Sequence, residues 1–409
     1  GEAAPRERGT FFSFMEGQGV MAVGSAYLRG ARIVVIGAGA VGSVAAYRLA
    51  QAGAAVTVVE SRFPGAGTTG NSFAWLNSFN KTPRHYHRLN ARSIREHADL
   101  ARELDGDWVH IDGGLHWCYA DDAEQVQRLR TVTRRLHEWG YRVETVTPEQ
   151  AMRELEPDLV IDPDRVEEVF YTPGEGWLNG VGLSHGALSA AVRRYGARFV
   201  RDTVVGLTGP AGAIDTVVLA SGERLGADAV INAAGPDAGR IAALAGVDLP
   251  VTRQPGLLVT TEPAPVSLKR VIHAPEGNLR PDGGWRMVIQ RENFDQLVES
   301  EQPIDLSHPV CQESVDRLAT VVPGLRGIRA ENARMGVRPM PKDGHPIVGF
   351  DPAVNGLYHL VMHSGITLSA TMGNLVVEDF LQTEPPELAP YRPSRFTSGA
   401  PLSYAGSEE

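Results

Sequence analysis

The stretch RIVVIGAGAVGSVAAYRLAQAGAAVTVVE, from Arg32 to Glu60, constrains the fold more than any other part of the chain. Ile33 to Ile36 is a short apolar run flanked by turn residues, as in a parallel strand buried on both faces. Val41, Val44, Ala45 and Leu49 then recur at helical spacing, and Gly53 supplies the stop. Between these elements lie Gly37, Gly39 and Gly42 in the pattern GxGxxG. The first permits a tight turn, the second lets a pyrophosphate approach the main chain, and the third lets helix and strand pack closely. The helix start then aims unpaired N–H groups and its positive dipole end at the phosphates. Glu60 closes the next strand eighteen residues after Gly42, where a carboxylate can accept hydrogen bonds from ribose hydroxyls. Strand, turn, helix, strand and terminal acid in register predict a dinucleotide site in a Rossmann-like α/β layer. The acid suits NAD or FAD and disfavours the 2′-phosphate of NADP.

At 409 residues the chain has room for two domains or one large domain with insertions. The balance of 39 basic against 49 acidic side chains argues against a nucleic-acid surface and for a small-molecule ligand. Two cysteines, Cys118 and Cys311, stand too far apart in sequence for a zinc pair or a disulfide framework, so no metal site is expected and reduced thiols in the cytoplasm fit best. No transmembrane segment is expected, because Arg48, Gln51 and several glycines break the most hydrophobic run, Ile33 to Val59. The first thirty residues place arginines ahead of an apolar patch that Glu16 and Gln18 interrupt, and read as a cloning remnant or loose extension rather than a targeting signal.

A nicotinamide enzyme ordinarily continues with further βα units, whereas here SRFPGAGTTGNSFAWLN follows. Its small residues, Gly65 to Ser72, can lie along a second polyol and phosphate, as the ribityl chain of a flavin requires. Farther on, GADAVINAAGPDAG runs a buried strand, Ala229 to Ala233, into Gly235, where a backbone can pass close to a cofactor or simply turn. Near the end, GLYHLVMHSGITLSATMGNLVVEDFL predicts a strand, Leu357 to Met362, a turn, and a helix from Ile366 with Leu368, Met372, Leu375 and Val376 on one face. The start of that helix is a second positive end, suited to the N1 and O2 side of a reduced flavin. In GVRPMPKDGHPIVG, Arg338 sits in a stretch too rich in glycine and proline for a helix, and so on a strand end or loop. It could be a surface charge, a structural ion pair or a carboxylate clamp.

Together GAGAVG, TTGNS, INAAG, GVRPMPKDGHPIVG and HSGITLSATMG resemble the FAD-dependent D-amino-acid oxidase superfamily, especially its glycine oxidase and D-amino-acid dehydrogenase branch. The resemblance runs from Arg32 to Leu381 and implies a Rossmann-like FAD-binding domain with an inserted α+β substrate domain that contains an antiparallel sheet. The implied FAD domain comprises residues 31–84, 165–245 and 322–390, and the substrate domain 85–164 and 246–321, between an extension over 1–30 and a tail over 391–409. By the same resemblance Gly37, Gly39, Gly42, Glu60 and Arg62 form the ADP site. Thr68, Thr69 and Asn71 form the pyrophosphate and ribityl loop, and Val204 and Gly235 line the cofactor. Gly365, Ile366, Thr367 and Leu368 offer backbone donors to the flavin pyrimidine edge, and Arg338 holds the substrate carboxylate.

Relatives that attach FAD covalently do so through a cysteine before the PMPKDG-like stretch or a histidine after the TTGNS-like loop. This chain has Ala333 to Gly336 and Phe73 to Trp75 there, so the FAD is expected to be noncovalent. A tyrosine of glycine oxidase aligns near Asn278, and strand alternation puts Arg280 on the same face, so both are candidate substrate-binding residues. His363 is either a catalytic group or a residue that orients the turn. The helix Leu89 to Leu104 reads as a charged solvent face.

The implied reaction oxidises the C–N bond of an amino acid or amine by hydride transfer to flavin N5, giving an imine and, with oxygen, hydrogen peroxide. A dehydrogenase that uses a quinone or carrier protein, and a flavin-binding subunit of a larger complex, remain alternatives. A homo-oligomer is compatible with either.

Overall fold

The computed structural model describes residues 28–291, 294–298 and 301–397. The expected extension up to residue 27, and the expected tail beyond residue 397, lie outside the described residues.

Two sheets enclose the molecule's main cavity. The first has six strands in the order Ile347–Phe350, Leu357–Val361, Ala229–Asn232, Arg32–Ile36, Ala55–Glu60, Arg198–Arg201, all parallel except the first pair. Val34 pairs with Val230 on one side and Thr57 on the other, and both faces of this strand are covered, which explains its unbroken apolar sequence. Helices Ala40–Gln51, Gly180–Tyr195 and Gly365–Phe380 cover one face. A small antiparallel sheet, Val204–Thr208 with Thr216–Leu219 and Arg224–Gly226, covers the other. Leu368, Met372, Leu375 and Val376 are fully buried, as their spacing predicts. Gly373 lets the first and last of these helices approach: a Cβ there would stand 2.7 Å from Val44 Cγ1.

The second sheet has eight strands in the order Ala330–Pro341, Val251–Thr261, Met287–Gln290, Gly277–Pro281, Val271–Ala274, Gly114–His116, Val169–Thr172, Glu144–Val146. Its pairs are antiparallel except Val271–Ala274 with Gly114–His116. Helix Pro309–Leu318 packs on this sheet through Val310, Cys311, Val315 and Leu318, over a core that includes Leu257, Val259, Leu279 and Ile289.

The boundary expected between residues 84 and 85 falls inside a helix, and two strands expected in the FAD domain belong to the other sheet. Helix Arg84–Leu104 drives Leu89, Ile94 and Leu100 into the core of the nucleotide-binding layer, while Val169–Thr172 and Ala330–Pro341 are strands of the eight-stranded sheet. Of the two expectations for the GVRPMP stretch, strand end or loop, the first holds: it is the C-terminal half of a twelve-residue strand. Pro339 and Pro341 fit because this strand lies at the sheet edge, where a missing N–H leaves no ladder partner unsatisfied.

Candidate active site

The nucleotide end is built by main-chain proximity. Gly37 has φ +104°, and a Cβ there would stand 2.4 Å from the Ala233 carbonyl oxygen. A Cβ on Gly42 would stand 2.1 Å from the Gly37 oxygen, so both fingerprint positions require glycine. Gly39 opens on the cavity and is followed by helix Ala40–Gln51, which has no side-chain cap of its own. Thr69 supplies one instead: its Oγ1 accepts from Ala40 N at 3.0 Å. Glu60 accepts from Ala38 N at 3.1 Å and from Arg62 N at 2.9 Å, tying the glycine turn to the next loop. Arg62, Val204 and Gly235 line the same end of the cavity.

The second loop is held by both sheets. Thr68 Oγ1 donates to the Val337 carbonyl, and Asn71 Nδ2 donates to Gly67 O at 2.9 Å. Arg334 Nη1 donates to Gly70 O at 3.3 Å. Arg280, expected in the substrate pocket, is buried away from the cavity. It donates to the carbonyls of Phe73 and Ser72, to Pro281 O at 2.6 Å and to Asp282 at 3.0 Å. Its guanidinium stacks 4.9 Å from the Trp177 ring, and burial pulls its pKa down to about 10. Arg280 therefore positions the loop. Asn278 likewise does not line the cavity: it bridges His273 Nδ1 at 3.0 Å and Gln290 Oε1 at 2.6 Å, and Gln290 is the residue that reaches the cavity wall.

At the opposite end Trp75, Asn77, Lys81, Leu258, Met335, Arg338 and His363 converge. Arg338 projects from the edge strand, with Nη2 donating to Pro255 O at 3.5 Å. His363 is itself exposed to the open cavity; desolvation by the protein packed around it, with the charges of Lys81 and Arg338, pulls it down to about 4 and so keeps it neutral at pH 7. Helix Gly365–Phe380 presents Gly365, Ile366 and Thr367 to the cavity without a side-chain cap, leaving its first N–H groups available. Leu368 was expected among these donors, but its N–H is already bonded to Ser364 O at 2.9 Å and its side chain is core.

Three contributors gave no signal in the sequence. His97, within the helix read as a charged solvent face, is fully buried; its Nε2 lies 2.8 Å from Ile366 O and 3.0 Å from Thr367 O, fixing the start of the cavity-facing helix. Lys81 Nζ donates to Ser364 Oγ at 2.8 Å. Behind Lys81, Glu175 is fully buried, and burial pushes it up to about 7 although Ser78 N and Tyr141 Oη both donate to it at 2.8 Å. A lone lysine and a lone glutamate in turns carry no spacing pattern, and a histidine within a polar helix reads like its neighbours.

The cavity, ≈ 600 Å³, runs continuously from Glu60 and Val204 to Lys81 and His363, and two helix N-termini open on it. That length, with phosphate-binding geometry at one end and an apolar, cation-rich chamber at the other, fits FAD. Neither cysteine lines it among the described residues.

Comparison with known proteins agrees. Residues 32–379 match the family described as DAO, FAD dependent oxidoreductase. An opine oxidase subunit of Agrobacterium tumefaciens (strain Ach5) is 25% identical over 353 residues, 85% of this chain and 92% of that one. Glycine oxidase from Geobacillus kaustophilus superposes with TM-score 0.76 at 24% identity, covering 89% of this chain and 99% of that chain. Iminodiacetate oxidase from Chelativorans sp. BNC1 superposes with TM-score 0.73 at 25% identity, covering 88% and 99%. The chain belongs to the DAO family of FAD-dependent oxidoreductases.

Proposed function

We propose that this protein oxidises the C–N bond of a carboxylate-bearing amine, with oxygen as the acceptor and FAD held noncovalently. The observation that carries the reading is that Arg338 and His363 line one chamber with the uncapped start of helix Gly365–Phe380, at the far end of a dinucleotide cradle. The names of two relatives, an opine oxidase subunit and an iminodiacetate oxidase, support an amine that bears carboxylate.

Gly37, Gly39, Gly42, Glu60 and Arg62 would hold the ADP part, Thr68, Thr69 and Asn71 the pyrophosphate and ribityl chain, and Gly365 to Thr367 the pyrimidine edge. When bound, FAD supplies the acceptor for the hydride that leaves the substrate Cα. Arg338 pairs with the substrate carboxylate in two parallel hydrogen bonds and so fixes which face of Cα is presented. His363, kept neutral, can accept a hydrogen bond from the amine without repelling it. The helix start places partial positive charge where negative charge gathers during reduction. Trp75, Leu258 and Met335 keep bulk water out, so each polar contact acts in a low dielectric. The imine released is hydrolysed by water to the carbonyl compound and the amine.

The test is anaerobic bleaching of the flavin band by a panel of amino acids and N-substituted amino acids, followed by air. Bleaching with recovery in air within seconds supports an oxidase, and recovery only with a quinone or dye moves the reading to a dehydrogenase. Bleaching by no member of the panel overturns it. The resemblance to one subunit of an opine oxidase supports a second reading, that turnover needs a partner chain; bleaching by the isolated chain contradicts that.

A further inference from the structure

We infer that Lys81 binds a second carboxylate, so that the amine oxidised here is a dicarboxylate held by Arg338 at one end and Lys81 at the other. The inference rests on the reading of Arg338 as the clamp for the first carboxylate.

Lys81 lies in the turn between strand Trp75–Leu76 and helix Arg84–Leu104, and its side chain lines the cavity beside His363. Its ammonium is tethered by a neutral group: Nζ donates to Ser364 Oγ, 2.8 Å away, and Tyr86 Oη reaches the same oxygen at 2.8 Å. Tyr86 also offers its ring, 5.9 Å from Nζ. Among the described residues no carboxylate forms an ion pair with Lys81. The acid that acts on it through space, Glu175, is occupied by Ser78 N, Tyr141 Oη and Thr172 Oγ1. An ammonium has three donors and is strongly hydrated, so one held in a cavity wall by a single hydroxyl is poorly compensated. Methionine would fill the same space without that penalty.

Glu175 attracts Lys81 only through space, and an anionic ligand would supply the direct partner that the ammonium has from no described carboxylate. Lys81 comes from a turn and Arg338 from the edge strand, yet both line the same cavity as His363, and both lie close enough to depress its basicity. Among the described residues the acidic groups lining the cavity are Glu60, Asp202, Asp237 and Glu301, and none stands at this end. Glu60 and Asp202 belong to the nucleotide end, while Asp237 and Glu301 are both paired with Arg253 at 2.6 Å. Lys81, which no carboxylate contacts among the described residues, is thus placed to meet an acidic group of a ligand in this chamber.

The experiment titrates the holoenzyme with glutarate and with butyrate at pH 7, following the flavin band and the heat of binding. The two acids share a chain and differ by one carboxylate. Glutarate is expected to bind about tenfold or more tighter, as a charge-assisted hydrogen bond implies. Lys81→Met should bring glutarate down to the butyrate value and leave butyrate unchanged, while Lys81→Arg should keep part of the preference. Equal affinities in the wild type, or equal weakening of both acids in Lys81→Met, would overturn the inference.

A second readout uses no variant: the preference for glutarate should fall as pH rises from 7 to 9. Lys81, pulled down to about 8 by burial, loses its charge in that range, and Glu175, near 7, gains one. His363 is already neutral, and burial pushes Tyr86 up. A preference constant over that range counts against Lys81. Loss of butyrate binding in Arg338→Leu is scored separately, so failure of the clamp and failure of the second site are distinguishable. Bleaching by N-(carboxymethyl)alanine, or by glutamate instead, tells whether the carboxylates sit on two arms of the nitrogen or on one chain.

Discussion

Gly336 lies against Asn71 so closely that a Cβ at Gly336 would stand 2.2 Å from the Asn71 carbonyl oxygen. The edge strand that carries Arg338 and the loop that would hold the ribityl chain are thus in main-chain contact, and Thr68 fastens them with its bond to Val337 O. Gly336→Ala must move the loop, because neither partner is a flexible side chain. The expected outcome is FAD affinity weakened about tenfold or more, with the melting temperature of the apoprotein nearly unchanged, since the strand itself tolerates alanine. Fluorescence titration of apoprotein with FAD checks this, and unchanged affinity would contradict it.

Arg280 is expected to act on the fold and not on the substrate. Removing a buried guanidinium that holds three main-chain carbonyls and Asp282 leaves those acceptors unpaired, at a loss of about 3 to 5 kcal/mol. Arg280→Met should melt markedly lower and release FAD, with activity on acids and on carboxylate-free amines falling together. A variant that melts normally but loses only acids would return Arg280 to the substrate pocket.

The difference between what could be read from the sequence and what could not is visible in these residues. The glycine fingerprint, Glu60 and the apolar face of the last helix are local patterns whose spacing carries their geometry. Arg338 stands out as a candidate through its GVRP context, and the structure places it on the cavity wall. For Arg280, alternation gave the correct face of its strand, but the main chain of Ser72 and Phe73 lies across that face, and no local signal reports it. Leu368 failed by one position, because the first helical hydrogen bond claims its N–H. Lys81, His97 and Glu175 acquire roles only through contacts with residues distant in sequence: Lys81 with Ser364, His97 with Ile366, and Glu175 with Ser78.

Glu175 makes stability depend on pH. Burial pushes its folded pKa up to about 7, above the unfolded value, so the folded state binds a proton that the unfolded state releases earlier. Its contribution is fully present below about pH 4.5 and is lost as pH rises through 7. Glu175→Gln keeps the acceptor for Ser78 and Tyr141 and cannot ionise. It should flatten the melting-temperature profile between pH 5 and 8 and melt higher than wild type at pH 8. A profile identical to wild type would show that Glu175 ionises normally.

FAD should leave the protein on acid precipitation. No cysteine lines the cavity among the described residues, and Phe73, Ala74 and Trp75 occupy the stretch where a histidine would be needed. Yellow colour in the supernatant is expected, and colour retained in the pellet would show a covalent bond.

The central claim is that Arg338 holds a substrate carboxylate over the flavin. Truncating one partner of such a desolvated pair typically costs about 2 to 5 kcal/mol, or roughly 30-fold to several thousand-fold in affinity. The most direct measurement is titration of wild-type and Arg338→Leu holoenzymes with butyrate while following the flavin band. The account predicts a normal FAD spectrum and melting temperature in the variant, with butyrate bound at least about 30-fold more weakly and an intermediate value for Arg338→Lys. Unchanged butyrate affinity in Arg338→Leu, or a variant that loses FAD or melts early while treating acids and amines alike, would contradict it.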